Sequence, residues 1–151
     1  MNESIVILNS KLPQTVVSDT NNGFRFNIPK LFNNVSKIDL ISLQISNIGS
    51  YTNSDDKYVY VNIDQIGANS YDCCNAGTFV VTVVQSYPLV GATGINLEYY
   101  ENAQYLQSYN LERKQNMSIF SVSLFKDNME PLLVGTENVV IMCRLHYDAS
   151  I

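Results

Sequence analysis

Two segments near the end of the chain decide the fold: Ser118-Ile-Phe-Ser-Val-Ser-Leu-Phe125 and Val139-Val-Ile-Met-Cys-Arg-Leu-His-Tyr147. Both are rich in apolar and β-branched residues with a period of two, the pattern of strands. Between them Lys126-Asp-Asn-Met-Glu-Pro-Leu132 combines charge, Asp-Asn and Pro, the chemistry of a turn. In the second segment Val139, Ile141, Cys143, Leu145 and Tyr147 share one face, and Arg144, His146 and Asp148 mark the other as the wetter. The expectation is an antiparallel pair, one side buried, closing an all-β domain.

Working back from this pair, the same pattern recurs along the chain. Val35-Ser-Lys-Ile-Asp-Leu-Ile-Ser-Leu-Gln-Ile-Ser-Asn47 puts Ile41, Leu43 and Ile45 on one face and Ser42, Gln44 and Ser46 on the other. Ile38 and Leu40 have the opposite parity, which calls for a bulge or a strand covered on both sides. Phe24, Phe26 and Ile28 share a face behind the turn Asn21-Asn22-Gly23, and Pro29 is expected to stop that strand. Val59, Val61 and Ile63 point one way from a strand over 58–63. Thr78 to Gln85 is nearly all apolar, as in a central strand buried on both faces. Ile95-Asn-Leu-Glu-Tyr99 alternates, and Tyr105 to Tyr109 suits a further strand. Helix is expected only as short turns near 29–34 and within 101–115, there over 110–115.

The leading segment Ile5-Val-Ile-Leu8 reads as a short strand. Such a strand is either an edge of its own sheet or a strand lent to a neighbour, so residues 1–12 form an N-terminal arm or edge strand. In total about eight or nine short strands separated by turns, without βαβ spacing, favour one antiparallel β-sandwich over residues 1–151. A single jelly roll of about eight strands suits the count and the length. An immunoglobulin-like sandwich is the alternative, although the chain has no Trp.

The order Leu124-Phe-Lys-Asp-Asn-Met-Glu-Pro-Leu132, a short gap, and then Asn138 to Tyr147 resembles the closing strands of small single jelly-roll virion proteins. These belong to large eukaryotic DNA viruses and their virophage or polinton-like relatives. Their pattern is a strand ending in Leu, an Asp-x-x-Gly-x-Pro-like turn and a final strand; here Met129 stands where Gly is common. Val35 to Asn47 followed by Tyr58-Val-Tyr-Val-Asn-Ile-Asp-Gln-Ile-Gly67 is similar to their strand, Tyr-rich loop and strand ending in Ile-Asp. The resemblance covers about half the chain. It implies a capsid structural protein, the penton at five-fold vertices being favoured, and a minor capsid or cement protein or a receptor- or carbohydrate-binding jelly roll the alternatives. It further implies a homo-oligomer, favoured as a pentamer, that meets neighbouring capsid proteins in the virion after synthesis in the host cytoplasm.

The totals agree with that class. Of 151 residues 46% are apolar and only 15% charged, against a common value of about 25%. Low charge with 10 Tyr and 6 Phe suggests extensive sheet and burial shared between subunits. A net charge of −5 argues against direct nucleic-acid binding, and Arg113-Lys114 is the one adjacent basic pair. No apolar run has the length of a membrane span, and the start lacks the features of a signal peptide. An intracellular, reducing site of synthesis is therefore the easier reading of the three cysteines, which make no disulfide framework.

Candidate chemistry is sparse. His146 is the single histidine, so a hydrolase triad would have to be built on it; a surface or interface histidine is the preferred reading. Cys73, Cys74 and Cys143 with one His do not have zinc-ligand spacing, and all three are expected to be free thiols, Cys143 in the core. Asp55, Asp56 and Asp64 lack the spacing of a calcium loop, and Gly91-Ala-Thr-Gly94 has no following Lys to make a phosphate cradle. No enzyme activity, cofactor or metal is expected. Tyr87, Tyr99, Tyr100, Tyr105 and Tyr109 crowd into one stretch, as strand filling, subunit contact or a ligand site. The interface candidates are Ile5, Val6, Ile7, Leu8, Tyr99, Tyr100, Tyr105 and Tyr109. The loops 49–57 and 64–76 are the ligand-face candidates of a binding module.

Overall fold

The computed structural model describes residues 2–11, 15–17, 22–48, 58–64, 78–82, 84–86, 95–101, 107–126, 130–132 and 139–148. They form nine strands: β1 (Asn2–Asn9), β2 (Thr15–Val17), β3 (Gly23–Ile48), β4 (Tyr58–Ile63), β5 (Thr78–Thr82), β6 (Val84–Ser86), β7 (Ile95–Tyr100), β8 (Gln107–Phe125) and β9 (Val139–Tyr147). All pairings are antiparallel. No α-helix occurs among the described residues, so the all-β class is as expected.

The sheet is built on β3, a strand of 26 residues. Along one edge it pairs first with β8 and then with β7; along the other, first with β2 and then with β9. β1 adds to the far side of β9, β4 and β5 extend from β8, and β6 from β7. One face of this sheet supplies a single core: Val6 and Leu8 of β1, Phe24 and Phe26 of β3, Val59, Val61 and Ile63 of β4, Leu97 of β7, Phe120 and Leu124 of β8, and alternate residues of β9. Burying each such side chain contributes roughly 1.5–3 kcal/mol, which is why period-two apolar residues hold these segments extended.

Four expectations are corrected, the first being that Pro29 ends its strand, since β3 runs through it to Ile48. The two closing strands do not pair with each other, because β3 lies between β8 and β9. Just after β8 the described residues are held close: Lys126 N–H donates to Glu130 O at 2.8 Å and Leu132 N–H to Leu124 O at 3.0 Å. The run 78–85 is not one central strand; β5 ends the sheet order beside β4, while β6 pairs with β7.

The helical turns expected near 29–34 and within 101–115 are strand, in β3 and β8 respectively. These two segments face each other where the β3–β8 ladder slips repeatedly, between Asn27 and Phe32, Phe32 and Val35, and Val35 and Lys37. Phe32, Val35 and Met117 are buried there, and a helical turn would rotate them off the core face. Pro29 falls in the unpaired gap, where its missing N–H breaks no ladder bond. Asn34 takes up the irregularity with a φ of 54°, a conformation Asn tolerates, and its N–H is capped by Asn116 Oδ1 at 3.0 Å.

The bulge called for by the parity of Ile38 and Leu40 is present. Leu40 pairs with Cys143 and Ser42 with Met142, leaving Ile41 as the extra residue. That switch lets Ile38, Leu40, Leu43 and Ile45 all reach the core. The end of the expected Asn-Asn-Gly turn also has a packing reason: a Cβ on Gly23 would lie 2.3 Å from Val122 O of the adjoining strand.

Cys143 is a buried free thiol, as expected, and Cys73 and Cys74 lie outside the described residues. Burial, and secondarily the charge of Asp39, pushes the Cys143 thiol up to about 12. Alkylating reagents at mildly alkaline pH are therefore expected to miss Cys143 in the native protein and to modify it after denaturation; peptide mapping by mass spectrometry checks this. Because the folded value is raised, stability is complete below the unfolded thiol's range and falls as pH climbs through that range towards 12.

Candidate functional site

Among the described residues, the outer face of the half-sheet formed by β1, β9, the second half of β3 and β7 holds a network of charged side chains. Strand alternation puts Glu3, Ile5 and Ile7 of β1 on this face beside Met142, Arg144 and His146 of β9, opposite the core residues Val6, Leu8, Cys143 and Leu145. Asp39 of β3 points the same way, set between buried Ile38 and Leu40.

Asp39 is the hub. The register places it opposite Arg144 on β9 and Ser108 on β8. Its Oδ2 accepts hydrogen bonds from Arg144 Nη1 at 3.2 Å and pairs with His146 Nε2 at 2.7 Å, and Lys37 Nζ lies 3.9 Å from Oδ1. The other arm of Arg144 reaches Glu101 Oε1 at 2.9 Å, just beyond β7. His146 Nδ1 lies 3.3 Å from Glu3 Oε1. The network therefore crosses β1, β9, β3 and the end of β7.

The electrostatics follow from burial and pairing. The Asp39 side chain is only 3% exposed. Burial pushes its carboxyl up, but hydrogen bonding by Ser108, His146 and Arg144, with the charge of His146, outweighs this and holds it below the ordinary aspartate range. Arg144 is held above its ordinary value, chiefly by the hydrogen bond to Glu101.

An Asp–His pair is also the orienting half of a hydrolase triad, but here each ring nitrogen of His146 faces a carboxylate, Asp39 or Glu3. Neither is left for a hydroxyl or thiol nucleophile, so the arrangement acts as an electrostatic clamp between strands. Among the described residues no group of three or more His, Cys, Asp or Glu side chains could hold a metal ion.

Beside the clamp the face turns apolar. Ile5 is 57% exposed, Ile7 53% and Tyr100 54%. The Tyr100 hydroxyl and Gln44 Nε2 are hydrogen-bonded on this face. Of the eight interface candidates, these three lie outward. Val6, Leu8 and Tyr99 are buried in the core, Tyr109 is half-buried against it, and Tyr105 lies outside the described residues. So do Tyr87 and both ligand-face loops, apart from Asp64. Asp39 escaped the sequence reading, although a lone acid between two apolar strand residues was a signal of a buried, paired carboxylate.

No protein-family model matches the chain, and a search among curated proteins returns no match. No helix among the described residues is long and apolar enough to cross a membrane.

Proposed function

We propose that this chain is a viral capsid structural protein, a single jelly roll that self-associates into the penton at five-fold vertices. The observation that carries the reading is the set of large apolar side chains Ile5, Ile7 and Tyr100, each more than half exposed on the outer face of the β1–β9–β3–β7 half-sheet. Large apolar side chains exposed on one face mark a contact surface. The all-antiparallel architecture and the resemblance of the Leu124 to Leu132 turn and its flanking strands to small virion proteins support it. In a closed ring each subunit presents one patch to the next, a heterologous contact that closes by rotation. The chain is then made in the host cytoplasm, ends in the virion beside other capsid proteins, and works without catalysis or a cofactor. Its net charge of −5 suits contact with protein rather than with the genome.

Light scattering and negative-stain images of the purified chain test this. Rings of five subunits are expected, and Tyr100→Asp, which puts a charge on that face without touching the core, is expected to diminish them. A three-fold particle would favour a receptor-binding head instead, and a monomer at high concentration would overturn self-association. Deleting residues 1–9 is the poorer experiment, because Val6 and Leu8 belong to the core, so their loss affects the fold as well as the contact.

A further inference from the structure

β1 ends the sheet order and pairs with β9 over all eight of its residues without a register shift. The phase of that ladder is fixed at its end, where Ser10 N–H donates to Val139 O at 2.9 Å. Even-numbered residues of β1 therefore turn N–H and C=O towards β9, and Glu3, Ile5 and Ile7 turn theirs to the opposite edge. No strand of the described residues lies along that edge. Natural edge strands are blunted by Pro, Lys, a bulge or an inward charge. β1 has none of these; its one charge, Glu3, is drawn towards His146.

We propose that β1 pairs antiparallel with β1 of a second copy of this chain, about a two-fold axis at Val6, so that one sheet runs through both molecules. Three facts select this partner and register. First, a two-fold axis normal to the sheet keeps outward residues opposite outward residues only when the paired numbers have an even sum. Second, only odd-numbered residues carry outward N–H and C=O groups, and they are then paired with one another. Third, centring on Val6 sets Ile5 opposite Ile7 twice and Glu3 opposite Asn9. Centring on Ile5 would instead place the Glu3 carboxylate against Ile7, and centring on Ser4 would place it against Ile5. Only the Val6 register sets both Ile5 and Ile7 opposite an apolar residue, since centring on Ile7 would leave Ile5 against Asn9. The contact is isologous, so it differs in symmetry from a five-fold ring contact although it shares Ile5 and Ile7 with that surface, and it does not rest on the capsid reading. A single strand pair falls below the about 1,200 Å² of standard interfaces, so the dimer is weak and concentration-dependent.

Sedimentation velocity over a wide concentration range up to millimolar protein tests it. Wild type is expected to show, alongside any rings, a monomer–dimer step that grows with concentration, and I5K and I7E each to lose that step while keeping the wild-type circular dichroism spectrum. Mixing I5K with I7E is expected to restore it, because the introduced lysine then faces the introduced glutamate and the remaining Ile5 and Ile7 face each other. The double variant I5K/I7E should self-associate for the same reason. A wild type that stays monomeric throughout overturns the pairing, and so does association of I5K or I7E undiminished from wild type. Failure of both the mixture and the double variant to recover the dimer overturns the Val6 register. Dimers formed without five-fold rings would count against the penton reading and leave this contact intact.

Discussion

Truncating Phe120 to alanine is expected to destabilise the fold by about 3–5 kcal/mol. Phe120 is among the largest side chains with no exposure, and it pairs across the ladder with Phe26, another core residue. β8 is flanked by β3 on one side and β4 on the other, so the cavity left by the ring has little freedom to collapse. With net stabilities of domains at about 5–15 kcal/mol, the loss takes a large share of the total. Ile119, the next residue, is half-buried on the other face, and Ile119→Ala should cost clearly less. Denaturant melts of the two variants at equal slope decide it. A Phe120→Ala loss below about 1 kcal/mol, the size of an ordinary surface effect, would show that this position is not the packed centre described.

The strands around Phe120 were legible because each is half-buried and alternates. Phe24 and Phe26, Val59, Val61 and Ile63, and the odd residues of β9 from Val139 to Leu145 all lie where a period of two puts them. Even the bulge at Ile41 is written in the parity change between Leu40 and Leu43. Local pattern fails where local signals conflict with distant partners. Pro29 read as a stop and 29–34 as a helical turn, yet β3 continues through them, since Phe32 and Val35 are fixed by Met117 and Gln115 of β8. The same holds for pairing order. Nothing in 118–147 reveals that a strand from the first third of the chain separates β8 from β9, because that order is set by the whole core. The outer-face site was half legible for the same reason. Arg144 and His146 were assigned to the wetter face from their own strand, but their partners Asp39, Glu101 and Glu3 arrive from three other segments.

Replacing Asp39 by alanine is expected to cost about 3 kcal/mol, at the lower end for breaking a buried ion pair. The penalty comes from what stays behind. His146 is buried and loses its 2.7 Å partner, keeping only the more exposed Glu3. Arg144 retains Glu101, and this keeps the loss from being larger. Asp39→Asn preserves shape and isolates the charge. Because the Asp39 carboxyl is held below the ordinary aspartate range in the fold and returns to about 3.9 in the unfolded chain, its contribution is present above that value. It disappears as pH falls through the depressed folded value. Wild type should therefore lose part of its stability on acidification, and Asp39→Asn should show a flatter acid limb from a lower plateau. Lys114–Asp148 supplies the contrast: its 2.8 Å contact is solvent-exposed, so Asp148→Asn should leave the neutral-pH melting temperature unchanged. Thermal melts from neutral pH to pH about 3, through the carboxylate range, compare the three. If wild type and Asp39→Asn lose stability in parallel over that range, the clamp across β1, β9 and β3 does not hold these strands together through charge.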